Sequence, residues 1–231
     1  MRDKKIIDWN NNQKLLKSLI LKKEHFDLAI ELCLKQHAMV HSSNVSNNNF
    51  NTIEDDLWNC LDDSTFRGFV KTDHGTIARN IWHTTRIEDL TMNILVAGES
   101  QILNESNRIE KLNSIIQDTG NAMTDSEVIE FSKHINKEEL IRYRVAVGIK
   151  TQAILKTLKY DDLKVKIKKS RLQQVLDEGG VLNIDGANWL IDFWGRKNVA
   201  GILLMPATRH NLVHINQSKR IKEKLQRKQK R

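Results

Sequence analysis

Eight histidines are spread through the 231 residues. Two of them, His210 and His214, stand four apart in the stretch MPATRHNLVHINQ, residues 205–217. On a helix, positions i and i+4 share a face, so both imidazoles reach a single ion. The spacing is that of H-E-x-x-H zinc sites, but Asn211 follows His210 where those sites carry a glutamate, which removes the metalloprotease reading. Two imidazoles alone make a weak site, so a third ligand has to come from elsewhere. His83 is the best candidate. It falls on the stripe Asn80, His83, Ile87, Leu90, Ile94, whose alternating spacings of three and four place it on an inward helix face. His210 and His214 share their stripe with Ile221 and Leu225. Three neutral imidazoles from two helices, with a further position left for water or substrate, make the pattern of an open, catalytic-type site.

The other histidines read differently. His37 and His41 form a rival i,i+4 pair, but their helix runs into the Asn-rich stretch SSNVSNNNFN and they read as surface residues. Spacing alone leaves open whether either joins the site. His25, His74 and His134 have charged or polar neighbours and read as ordinary. No Ser/His/Asp or Cys/His arrangement stands out, so no catalytic side chain beyond the ion is assigned. Arg86, three residues after His83, either holds a ligand carboxylate or pairs with an acid such as Glu88 or Asp89, and the pairing is the expected role.

The elements that must carry these residues are helices. Residues 12–43 show helical periodicity, read as a short helix and then a long one. Residues 75–98 form the next strong helix, with Gly98 as its stop. Thr52 with Asp55 and Thr124 with Glu127 are capping pairs for two shorter helices, and Asn136 caps a long one over 136–158. An amphipathic segment ends at Gly179–Gly180, and a Trp-containing segment precedes a last helix that starts near Pro206, a first-turn proline by position. Trp82, Trp189 and Trp194 read as core. No internal repeat or low-complexity linker marks a domain boundary.

Composition agrees with an all-α fold. Proline and glycine total 11 residues, hydrophobic residues are 39% and charged residues 29%. No apolar run approaches the roughly 18–20 residues that span a bilayer, and the N-terminus lacks an apolar segment of signal-peptide length, so a cytoplasmic location is expected. Cys33 and Cys60 lie in apolar-periodic surroundings and read as buried thiols. The formal charge of +8 is concentrated at one end: residues 219–231 hold eight Lys/Arg and one Glu, or +7, which leaves +1 for residues 1–218. Nucleic-acid binding domains spread their basic residues over a face, so this run reads as a solvated helix end.

The segments TIARNIWHTTRIEDLTMNILVAG and MPATRHNLVHINQSKRI resemble the DinB-like (DinB/YfiT) superfamily, through the Trp-His pair, the Glu88–Asp89 that follows, and the proline-led helix carrying HxxxH. The resemblance covers about residues 25–222, within a single DinB-like domain over 1–231 and ahead of the basic tail, 219–231. It implies a four-helix bundle, here with long connections and extra short helices. It implies His83, His210 and His214 as ligands of a divalent ion, Zn, Ni or Fe. The function it implies is a metal-dependent low-molecular-weight-thiol S-transferase or a hydrolase acting on a small molecule, in a chain that forms homodimers. The alternative is a non-catalytic helical interaction protein whose basic tail meets an acidic partner or nucleic acid.

Overall fold

The structure, a computed structural model, describes residues 3–47, 49–73 and 75–229. Its elements are α1 (Lys4–Leu19), α2 (Phe26–Met39), α3 (Ser43–Ser46), α4 (Ile53–Trp58), α5 (Asp63–Arg67), α6 (Ile77–Asp89), α7 (Arg108–Leu112), α8 (Asp125–His134), α9 (Lys137–Thr157), α10 (Lys169–Asp177), α11 (Asp185–Gly195), α12 (Val199–Leu204) and α13 (His210–Gln229). No strand occurs among the described residues; only the isolated bridges Val70–Gly75 and Lys166–Asn198 do. No helix among them is long and apolar enough to cross a membrane.

Side-chain caps start these helices where the sequence places them. Thr52 accepts from Asp55 N and Thr124 from Glu127 N, each in a reciprocal capping box, and Asn136 accepts from Glu139 N to open α9. Gly98, with φ 74°, ends the helical stretch that begins at Ile77. The N-terminal region is helical from Lys4, earlier than the periodicity from residue 12 suggested, because Asp3 accepts from Lys5 N and Trp9 and Leu16 bury against α2.

α6 packs against α9 and α13, and α2 packs against α1 and α9. Two apolar clusters result. One gathers Cys33, Ile87, Leu90, Ile154 and Ala207; the other gathers Val40, Trp82, Tyr143, Val147 and Leu212. Along α2, α6 and the approach to α13, residues of one cluster give way to the other across a polar stretch: His37 on α2, His83 to Arg86 on α6, and Thr208 to Asn211 ahead of Leu212. Every residue of α6 except Arg79 is buried. The helix is enclosed on all sides, not amphipathic as its stripe implied.

Two helical stretches widen into π turns, over Leu90–Ala97 and Met205–Arg209. The second corrects the expected start of the last helix. Pro206 has no N–H to give to a carbonyl one turn back, but the chain does not restart there. It passes from α12 through the π turn into α13, with His210 N donating to Met205 O. The Leu204 carbonyl at the break accepts from Gln13 Nε2 and from the Thr208 hydroxyl.

Two further expectations are corrected. Cys60 is exposed, at the turn after α4 where it adopts a left-handed backbone (φ 53°), while Cys33 is wholly buried. Trp82 and Trp194 are core residues, but Trp189 is 51% exposed, on the outer side of α11. Burial and the nearby charge of Glu88 push the Cys33 thiol up to about 12. Thiolate is the reactive form, so a thiol reagent should label Cys60 at once in the native protein and Cys33 only after denaturation. Rapid labelling of two thiols per native chain would contradict the packing of α2.

Candidate metal centre

His83 on α6 and His210 and His214 on α13 converge, with one ligand nitrogen of each within 4.8 Å of the others. His83 Nε2 and His210 Nε2 are 3.2 Å apart. Two imidazole nitrogens bound tetrahedrally at 2.0–2.1 Å stand about 3.3 Å apart, so the spacing suits a shared ion. The rings meet edge to face, with centroids 4.6–5.0 Å apart. His83 is buried, and His210 and His214 are half-buried toward the surface.

Hydrogen bonds behind two of the rings fix which nitrogen faces inward; the third, His210, has a buried Nδ1 without a partner. The Thr119 carbonyl lies 2.8 Å from His83 Nδ1. A carbonyl only accepts, so Nδ1 carries the proton and the Nε2 lone pair points to the centre. On His214, Nδ1 lies 3.0 Å from Gln217 Oε1, and that amide is oriented by its own donation from Nε2 to the Asp73 carbonyl, 2.9 Å. His214 is therefore also an Nδ1–H tautomer with a free Nε2. Metal-binding imidazoles are held in this way by outer acceptors. Burial holds all three rings neutral, with the Arg79 charge acting in the same direction. His83 and His210 fall well below the ordinary histidine range and His214 to about 4.

The segment that supplies Thr119 belongs to the less regular stretch 99–123, and α6 grips it with one stripe. Trp82 Nε1 donates to Asp118 O (2.9 Å), Arg86 Nε to Gln117 O (2.8 Å) and Arg79 Nη2 to Gly120 O (3.0 Å). With His83 on Thr119, four side chains at positions 79, 82, 83 and 86 hold four consecutive carbonyls. The signal was present as R-x-x-W-H-x-x-R, i, i+3, i+4, i+7, but it reads as packing until the loop is seen. Arg86 is fully buried and also bonds Asp89 (3.3 Å) and Tyr143 (3.0 Å), so it pairs inside the fold.

His37 and His41 do not join this centre and are not on the surface. Both are fully buried, stacked at 4.2 Å, and close on Glu88 with Nε2 to oxygen distances of 2.7 and 2.9 Å. His37, His41 and Glu88 form a second group with metal-ligand types, but the proton placement is the reverse of the first. Burial favours the neutral acid, yet interactions with His41 and His37 outweigh it and hold Glu88 well below the usual carboxylate range, while burial lowers His41 to about 4. The carboxylate accepts from both Nε2–H groups and from Asn211 Nδ2 (2.8 Å), whereas His37 Nδ1 and His41 Nδ1 have no partner. Without an ion that is a hydrogen-bonded triad, and its three groups are close enough to share one.

Asn211 extends the network. Its Oδ1 accepts from Arg144 Nη1 (3.2 Å), and Arg144 also donates to Glu54 (2.7 Å), Thr84 (3.2 Å) and the Val40 carbonyl (2.8 Å). Glu54, Arg144 and His41 line a cavity of about 330 Å³ with Trp58 and Val45.

Of the remaining histidines, His25 ends a short 3₁₀ turn, Lys23–His25, and exposed His134 pairs with Glu130; His74 lies outside the described residues. The described part of the basic run, residues 219–229, is the end of α13. Lys222 Nζ donates to the Leu57 carbonyl (2.9 Å), Lys219 and Arg220 lie near Asp56 and Asp73 (3.6 and 3.8 Å), and Lys224 pairs with Asp73 at 2.5 Å. The chain matches no family model and no curated protein.

Replacing Arg144 by alanine leaves the buried Glu54 carboxylate with only the Trp58 indole N–H as a donor and the Asn211 amide oxygen with none. Removing one partner of such a pair costs about 3–5 kcal/mol, so the urea midpoint should fall by a corresponding amount. A loss below about 1 kcal/mol would mean that the pair behaves as a surface contact.

Proposed function

We propose that the chain is a DinB-like, divalent-metal-binding protein whose His83, His210 and His214 hold one Zn, Ni or Fe ion, and that this centre serves a thiol-transfer or hydrolytic reaction on a small molecule. The observation that carries the reading is the fixed protonation of the outer ring nitrogens: Thr119 on His83 and Gln217 on His214 leave Nε2 lone pairs turned inward. Neutral donors of this type suit Zn, Ni and Fe alike. When bound, the ion supplies Lewis acidity at a position not taken by protein, favouring the anionic form of a thiol or water.

The chain's own groups have separable parts in this. Thr119 and Gln217 orient two of the rings, and Asp73 orients Gln217. Asn211, next to His210, ties the start of α13 to Glu88 and Arg144 and so holds the helix in register with α6. The half-exposed edge of His210 and His214 is the side from which a small molecule approaches.

The test is metal content. Protein incubated with a divalent ion and desalted should retain about one ion per chain, and His214→Ala should lose it while keeping its helical circular dichroism. Gln217→Leu should keep the fold and weaken binding about 10- to 100-fold, the usual effect of removing an outer acceptor. His37→Ala should leave the stoichiometry unchanged, because that ring is engaged by Glu88. Undiminished metal in His214→Ala would end the ligand assignment.

A further inference from the structure

Arg79 lies one helical turn before His83 on α6, and the two side chains stand on adjacent peptide carbonyls, Gly120 for the guanidinium and Thr119 for the imidazole. The guanidinium is half-buried, and its one hydrogen bond is to a neutral carbonyl. Its Nε is buried without a partner. Buried cations are normally paired, and among the described residues no carboxylate is placed to do so. Glu88 is engaged by His37, His41 and Asn211; Asp73 by Lys224 and Arg220; and an Asp118 oxygen accepts from Gly120 N.

This arrangement is unfavourable as it stands. Three neutral imidazoles leave an ion's double charge uncompensated, and Arg79 adds a third positive charge one turn away. An anion at the ion's free position, reaching Arg79 as well, removes both problems. A guanidinium presents its donors as a planar fork that matches a carboxylate.

Building on the metal reading above, we infer that the three-histidine centre takes a carboxylate-bearing small molecule, with the carboxylate shared between the ion and the guanidinium of Arg79. The consequence is coupling. The carboxylate tightens the metal and the metal tightens the carboxylate by the same factor. Without a carboxylate, Arg79 opposes the metal.

Titration calorimetry of Co²⁺ into the full chain tests this, with sodium acetate compared with acetamide and with sodium chloride at matched ionic strength. Acetate should tighten Co²⁺ binding by about 5- to 150-fold, the usual span of such couplings, and neither control should do so. In Arg79→Gln, Co²⁺ alone should bind more tightly than to the parent and the acetate effect should vanish. Arg79→Lys keeps the charge without the fork; it should bind Co²⁺ as weakly as the parent and show a reduced acetate effect. Equal Co²⁺ affinity with and without acetate would overturn the inference and leave the metal reading intact. So would an acetate effect that survives in both variants. Absence of Co²⁺ binding to the parent would remove the metal reading itself, and this inference with it.

Discussion

Burial of α6 on every side is the constraint on which the rest of the structure depends. The helix carries Asn80, His83, Thr84, Thr85, Arg86, Glu88 and Asp89 into the interior, and each must find partners there or the fold loses the cost of its desolvation. Other segments are placed as those partners. The carbonyls of 117–120 receive Arg79, Trp82, His83 and Arg86. Asp89 accepts from the backbone of Ile102 and Leu103 and from the Tyr143 hydroxyl, so it fixes the turn after the π stretch and one face of α9. Glu88 gathers α2 and α13 through His37, His41 and Asn211. Connections that look irregular along the chain are regular when viewed from α6.

The same constraint separates two histidine groups of similar composition. Around His83, acceptors lie behind His83 and His214 and turn their Nε2 lone pairs inward, while the buried Nδ1 of His210 has no partner. Around Glu88 the acceptor lies between the rings and the protons face inward. Residue types alone do not distinguish them, because each has three groups of metal-ligand type within reach. What distinguishes them is whether a buried carboxylate or a backbone carbonyl supplies the acceptor, and on which side of the imidazole it lies.

Much of the helical skeleton was legible in local signals. The caps at Thr52, Thr124 and Asn136 and the glycine stop at 98 act over three or four residues, and the chain itself contains both partners. The meeting of His83 with His210 and His214 was legible because each lies on a stripe with apolar residues that turn toward the interior. Long-range effects were not legible. Glu88 and Asp89 are adjacent acids, and nothing in their own sequence neighbourhood shows that Tyr143 reaches Asp89 and Asn211 reaches Glu88 from other helices. His37 and His41 look exposed beside a polar loop, although Glu88, forty-seven residues beyond His41, draws them inward. Cys60 and Trp189 fail in the opposite direction: apolar neighbours in sequence say nothing about which side of a short helix meets solvent.

The π turn over Met205–Arg209 makes the centre sensitive to chain length. A π turn holds one residue more than the α turn it replaces. Loss of any one residue there would let the rod from Val199 to Gln229 revert to regular α-helix and rotate His210 and His214 by about 100° relative to α12, the turn per residue of an α-helix. A single-codon deletion in these five positions is incompatible with the ligand geometry. The spacing between Leu204 and His210 is therefore as much a part of the centre as the histidines themselves.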